Sequence, residues 1–88
     1  MRNLAEIRED INSIDEELVE LFRRRMDCSR DIAAYKKTNN IPILNSARED
    51  EILDKVSAMG EPYGEYTRSL YVKIMELSRE LQSKMIEE

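Results

Sequence analysis

Apolar side chains recur along the first forty residues at alternating intervals of three and four. Arg25 interrupts the pattern, which otherwise continues for about five heptads without Pro or Gly. This spacing is typical of an amphipathic helix that packs along its whole length. It predicts a helix from Leu4 to about Asn39. The residues of this apolar seam are Leu4, Ile7, Ile11, Ile14, Leu18, Leu21, Cys28, Ile32 and Tyr35.

The helical pattern ends at residues 38–45, where paired Asn residues and a Pro predict a loop. Ser46 and Glu49 then have the spacing of a capping box, with Ser46 as N-cap and Glu49 bonding back to its N–H. A short second helix should follow and end at Gly60.

Pro62 stands where a third helix is expected to begin. Ser78 and Gln82 are four positions apart at the edge of its apolar stripe and should point into the same space. We therefore predict an all-α fold of a long, a short and a long helix in a single domain, residues 1–88. The stripe consists of Tyr66, Leu70, Ile74, Leu77, Leu81 and Met85.

The first helix is too long for a small globule. A compact chain of 88 residues has a radius of gyration of about 12 Å, whereas a helix from Leu4 to Asn39 is about 54 Å long. Arg8 and Lys36 flank the apolar seam on the same side, but they lie about 42 Å apart. An antiparallel second copy would bring its Arg8 beside Arg25 and Lys36, so we expect a homodimer with two identical cationic pockets.

Composition excludes several classes of function. The net charge of −5 argues against nucleic-acid binding. No apolar run is long enough to span a bilayer, and the opening residues lack a signal peptide's hydrophobic region, so we expect a cytoplasmic protein. The absence of His leaves few options for a metal site or a nucleophilic triad, so no metal or cofactor is expected. The one cysteine, Cys28, is expected to be a reduced core residue.

The candidate chemistry rests on cations at or beside the apolar seam. Arg8 and Lys36 also fit interhelical salt bridges, and Glu49 fits a simple capping role. A guanidinium at the seam position of Arg25 must be paired, must line a cavity, or must set the register of the helices. Arg48 lies in the first turn of a helix, where an anion or Glu49 would compensate its charge.

Taken together, these residues resemble the all-helical, type II chorismate mutase family over nearly the whole chain. The spacings from Arg8 through Arg25, Lys36, Arg48 and Glu49 are 17, 11, 12 and 1 residues, and they are followed by a Ser-x-x-x-Gln ending. The motifs are Ile7-Arg8-Glu9-Asp10-Ile11, Ile14-Asp15-Glu16-Glu17-Leu18, Arg48-Glu49 and Ser78-Arg79-Glu80-Leu81-Gln82.

The resemblance implies an intertwined homodimer that converts chorismate to prephenate in phenylalanine and tyrosine biosynthesis. Arg25, helped by Ser78, would bind one substrate carboxylate, and Arg8 of the other chain would bind the second. Lys36 and Gln82 would donate to the ether oxygen; the adjacent Lys37 is a rival that helical phase disfavours.

In the same family pattern, Glu49 would accept from the ring hydroxyl and Arg48 would line the pocket. The backbone near Ile32 and Asn45 would also contribute. The best-known members carry Asp where this chain has Asn45, which leaves a side-chain role there open.

Two alternatives remain. An isochorismate–pyruvate lyase shares the fold and a similar cation set. A non-catalytic helical dimerisation or regulatory module would need no Arg25 and would tolerate Leu in its place.

Overall fold

The computed structural model describes residues 1–87, which form three helices in the predicted order. They are α1 (Leu4–Asn39), α2 (Ser46–Met59) and α3 (Gly64–Glu87). No strand occurs within these residues. The predicted all-α architecture of a long, a short and a long helix is confirmed.

Both ends of α1 are closed by asparagine. The Asn3 side chain accepts a hydrogen bond from the N–H of Glu6 at 2.9 Å, as an N-cap residue does. At the other end Asn40 has φ 53° and ψ 43°, a left-handed conformation that Asn tolerates better than most residues. The backbone N–H groups of Asn40 and Ile41 both donate to the carbonyl of Lys36. The chain therefore turns sharply at the predicted boundary.

The start of α2 differs from the predicted capping box by one residue. Asn45, rather than Ser46, is the N-cap, and its side chain accepts from the N–H of Arg48 at 3.1 Å. Asn caps helices as well as Ser does, so a pattern of residue types could not choose between them. The Glu49 carboxylate binds Arg79 instead of returning to the cap.

The third helix begins at Gly64, two residues later than Pro62 suggested. A turn precedes it, in which the N–H of Tyr63 donates to the carbonyl of Gly60 at 2.8 Å. Gly60 ends α2 with an ordinary negative φ of −82°, so left-handed geometry is not the reason for glycine. A Cβ at Gly60 would lie only 2.7 Å from the Cβ of Thr67. Glycine therefore allows the close approach of α2 and α3.

The third helix holds the chain together. α3 packs against both α1 and α2, whereas the backbones of α1 and α2 do not come close to each other within residues 1–87. Among the described residues the only buried apolar side chains are Ala33 and Met75. The buried polar side chains are Ser29, Ser78 and Gln82.

The apolar seam of α1 is not the face that packs inside the chain. Ile14, Leu18 and Leu21 are all more than half exposed, and every residue from 1 to 21 is exposed. Cys28, which we expected in a core, is also exposed in the single chain. The side chains of α1 that are buried, Ser29 and Ala33, lie one position past the seam.

The chain is correspondingly elongated. Its radius of gyration is 16.2 Å, and its longest dimension is 55 Å. A compact chain of this length would have a radius of gyration of only about 12 Å. Within residues 1–87, no helix combines the length and the apolar character that crossing a membrane requires.

Candidate active site

A cavity of about 300 Å³ lies between the C-terminal half of α1, the loop 40–45 and the facing sides of α2 and α3. This size is at the lower end of the range for small-molecule sites, about 300–1,000 Å³. Eight of the nine predicted site residues line it: Arg25, Ile32, Lys36, Asn45, Arg48, Glu49, Ser78 and Gln82. The other lining residues are Cys28, Ser29, Ile43, Ile52, Met75 and Arg79.

The lining is strongly cationic. Arg25, Lys36, Arg48 and Arg79 contribute positive charges, and Glu49 is the only carboxylate among the described lining residues. The chain as a whole carries a net charge of −5. Cations concentrated in a cleft raise the local concentration of anions even on an acidic protein. The cavity is therefore suited to a small, multiply charged anion.

Arg25 lines the cavity, and no residue from 1 to 87 supplies it with a counter-ion. Its side chain is half-buried, and its guanidinium carbon lies 5.6 Å from the centroid of the Tyr71 ring. This distance is within the range of a cation–π contact. No carboxylate within residues 1–87 forms an ion pair with Arg25. Its charge is available to an anionic ligand.

Lys36 is held at the end of α1 nearest the loop. Its Nζ donates to the carbonyl of Ile43 at 2.5 Å, and the side chain is half-buried. Lys37 does not line the cavity, so the structure agrees with the helical phase that favoured Lys36. Because the acceptor is a neutral carbonyl, this hydrogen bond does not pair the Lys36 ammonium with a negative charge.

Asn45 and Arg48 form the N-terminal edge of α2. The side-chain oxygen of Asn45 accepts the capping hydrogen bond. The backbone carbonyl of Asn45 accepts from the N–H of Glu49 at 3.0 Å. Arg48 pairs with Glu51 at 2.9 Å, and both side chains are mostly exposed. Asn45 therefore has a side-chain role in this chain, which is to start the helix that carries Arg48 and Glu49.

Arg79 was not among the predicted site residues. It donates to the carboxylate of Glu49 across the α2–α3 contact, where the two side chains are 34% and 23% exposed. The sequence signal that could have indicated Arg79 was its position next to Ser78, on a helix edge already considered for the site. The pair fixes the position of the Glu49 carboxylate in the cavity lining.

Ser29 was also missed. Its hydroxyl lies 2.6 Å from that of Ser78, and the Gln82 amide nitrogen donates to the same Ser78 oxygen at 3.0 Å. The contact between Ser78 and Gln82 agrees with their predicted i, i+4 placement. A serine four residues after Arg25, in the interior of a helix, was the signal for Ser29.

Arg8 is the predicted site residue that the single chain does not bring to the cavity. It is exposed, and it precedes Arg25 by 17 residues on one continuous helix, a distance of about 25 Å. Arg8 cannot reach the cavity of its own chain.

Comparison with known proteins gives one family. The family described as chorismate mutase type II matches residues 7–83. No solved structure matches the chain at a significant level.

Individual relatives are described as chorismate mutases or as bifunctional proteins that include one. A chorismate mutase of Methanocaldococcus jannaschii is 28% identical over 92 residues, covering 100% of this chain and 92% of the relative. A bifunctional chorismate mutase/prephenate dehydratase of Buchnera aphidicola (subsp. Acyrthosiphon pisum) is 33% identical over 96% of this chain but 23% of the relative. A protein of the same description from Aquifex aeolicus is 37% identical over 73% of this chain and 18% of the relative. The chain thus spans less than a quarter of these bifunctional relatives.

Proposed function

The chain belongs to the type II chorismate mutase family, and from this premise we propose that it is an isomerase that converts chorismate to prephenate. In this proposal the reaction serves phenylalanine and tyrosine biosynthesis in the cytoplasm, and residues 1–88 act as one catalytic domain. The observation that carries the proposal is the cavity lining, with four cations and one carboxylate in a chain of net charge −5.

The chemistry of the rearrangement fits this lining. A pericyclic reaction transfers no proton to the protein and needs no nucleophile. The protein must hold a flexible dianion in a compact, chair-like conformer, and it must stabilise negative charge that grows on the ether oxygen as the C–O bond breaks. Fixed cations and hydrogen-bond donors serve both needs.

Each end of the substrate has a matching group. Arg25 binds one carboxylate with the help of the Ser78 hydroxyl, and the lack of a counter-ion for Arg25 within residues 1–87 supports this role. Lys36 and Gln82 both donate hydrogen bonds to the ether oxygen.

The remaining groups complete the enclosure. Glu49, held by Arg79, accepts from the ring hydroxyl, and Arg48 adds positive charge at the cavity edge. The backbone at Ile32 and Asn45 contributes further contacts.

The second substrate carboxylate requires a second chain. In the proposal two chains form an intertwined antiparallel homodimer, in which Arg8 of each reaches the cavity of the other. The exposure of every residue from 1 to 21 supports this assembly, because the apolar seam of such a long amphipathic helix is unfavourable without a covering surface. Within residues 1–87, only two apolar side chains, Ala33 and Met75, are buried in the core, and this supports the assembly as well.

Incubation of the purified chain with chorismate tests the activity directly. Chorismate consumption is followed by absorbance, the product is identified by chromatography, and sedimentation confirms the assembly state. Formation of prephenate is expected. Failure of a folded dimer to consume chorismate would refute the proposal, and release of pyruvate from isochorismate alone would identify a lyase of the same fold.

A further inference from the structure

The guanidinium of Arg25 contacts an aromatic ring instead of a carboxylate. Its carbon lies over the ring of Tyr71, 5.6 Å from the centroid. Within residues 1–87 no ion pair to Arg25 accompanies this contact. Both side chains are half-buried. Because an aromatic face attracts a cation through its quadrupole and carries no formal charge, the contact restrains Arg25 without neutralising it.

Tyr71 is not part of the cavity lining. On α3 it precedes Met75 by four residues and Ser78 by seven, so the three side chains share one face of the helix. Met75 and Ser78 line the cavity, and Tyr71 continues their stripe by one more turn. The ring therefore contacts Arg25 from a position outside the cavity lining.

Such a restraint matters for a long side chain. An arginine without a partner samples many rotamers, and a ligand that immobilises it loses binding free energy to this ordering. A carboxylate partner would restrict the rotamers, but it would also compete with an anionic ligand for the guanidinium. An aromatic ring restricts them without that competition. The positive charge of Arg25 is thus partly ordered before a ligand binds.

We infer that Tyr71 is a positioning residue, whose ring restrains Arg25 so that its guanidinium binds a substrate carboxylate with little further loss of conformational entropy. The inference rests on the proposed function, in which Arg25 binds that carboxylate. Tyr71 itself does not touch the reacting atoms in this scheme. It raises the affinity of the site for the dianion and leaves the rate of the chemical step unchanged.

Substitution of Tyr71→Leu tests the inference through a split between KM and kcat. The change removes the ring and keeps an apolar side chain. Loss of the cation–π contact weakens ground state and transition state alike, so KM should rise about fivefold and kcat should stay within about twofold of the parent. Tyr66→Leu is the matched control, since Tyr66 lies on the same helix, is 78% exposed and does not line the cavity. Its kinetics should equal those of the parent.

Fluorinated phenylalanines at position 71 separate the cation–π contact from packing. Tyr71→Phe keeps the aromatic face and should behave as the parent does. Each added fluorine withdraws electron density from the face with little change of shape, so KM should rise stepwise from Phe through the monofluoro and difluoro to the trifluoro analogue. A flat series in an active enzyme would overturn the inference. This series decides the question even if Tyr71→Leu fails to fold.

A second measurement does not depend on activity. Side-chain protons of Arg25 near the face of a ring should show an upfield ring-current shift in the NMR spectrum, and Tyr71→Leu should abolish this shift. Absence of the shift in an active parent would overturn the inference and leave the proposed function intact. A folded parent that shows the shift but does not convert chorismate would refute the proposed function, and the role of Tyr71 toward the substrate with it.

Discussion

Arg79 of α3 donates to the carboxylate of Glu49 on α2, so the one negative side chain that residues 1–87 place in the cavity lining is partly neutralised by a residue of the same lining. A free carboxylate in this position would repel a dianion. With Arg79 beside it, Glu49 can accept a hydrogen bond from a hydroxyl group while its charge is compensated. The pair lets a cationic site contain a hydrogen-bond acceptor.

Replacement of Arg79 by glutamine should weaken substrate binding more than turnover. We expect KM to rise about tenfold, because one positive charge is lost and Glu49 is left uncompensated in a partly buried site. Steady-state kinetics provide the measurement. Arg68→Gln is the matched control, because Arg68 joins α3 to Asp54 of α2 at 3.2 Å through an exposed pair away from the cavity. Equal effects of the two substitutions would mean that Arg79 acts on helix packing alone.

Lys36→Ala should produce the largest loss of rate. A preorganised donor to a developing oxyanion contributes roughly 10²–10³ in kcat, and Lys36 is the cation held at the loop end of α1. Single-turnover kinetics with saturating chorismate measure the chemical step. Lys37→Ala, which removes the same charge at a position outside the cavity lining, is the control and should stay close to the parent. A larger loss of rate in Lys37→Ala than in Lys36→Ala would mean that Lys37, and not Lys36, donates to the ether oxygen.

Gln82→Glu should make activity depend on pH. A carboxylic acid can donate to the ether oxygen only while it is protonated, so turnover should fall as pH rises from about 5 to 8. The parent amide does not titrate, and its activity should lack this fall. The profile of kcat against pH for both proteins gives the comparison. A flat profile for an active Gln82→Glu variant would exclude donation from this side chain.

A mixing experiment tests whether Arg8 acts across chains. Arg8→Ala and Arg25→Ala should each be almost inactive, but a heterodimer of the two contains one site with both arginines. Random reassociation should therefore restore about a quarter of the parental activity. The variants are unfolded together, refolded and assayed, with heterodimers verified by native mass spectrometry. If heterodimers form and remain inactive, Arg8 does not serve the partner's cavity.

Ile14→Glu should disrupt the homodimer. Ile14 lies in the exposed apolar seam, and a buried, unpaired carboxylate at a helix interface costs several kcal/mol. Sedimentation velocity should show a shift toward monomer, together with loss of helicity on dilution. Ser13→Glu adds the same charge one position earlier and off the seam, so it should remain dimeric. A dimeric Ile14→Glu variant would argue that the seam is not the interface.

The helices themselves were largely predictable, because their signals are local. The interval of three and four residues predicted α1 from Leu4 to Asn39, and the structure gives the same bounds. The starts of α2 and α3 were wrong by one and two residues, since Asn45 competes with Ser46 as a cap and a turn follows Gly60. Such choices depend on tertiary contacts that a pattern of residue types does not contain.

The packing face of α1 was less predictable. The apolar seam suggested burial of Cys28, but the chain buries Ser29 and Ala33 against α3 and leaves the seam exposed. Periodicity identifies an apolar face, but it cannot say whether that face meets the same chain or another one. For the same reason Ser29 escaped notice: a small polar residue beside an apolar stripe resembles a surface position until its partner Ser78 is known.

α3 packs against α1 and α2, whose backbones do not come close to each other within residues 1–87. This arrangement affects how the width of the cavity can change. The wall that carries Lys36 and the wall that carries Glu49 are each positioned by α3, and within residues 1–87 only the loop 40–45 joins them directly. The width of the cavity therefore depends on the position of α3. Substitutions at α3 positions that pack against α1 or α2 without lining the cavity can widen or narrow the site for a bulkier or smaller substrate while every lining residue stays the same.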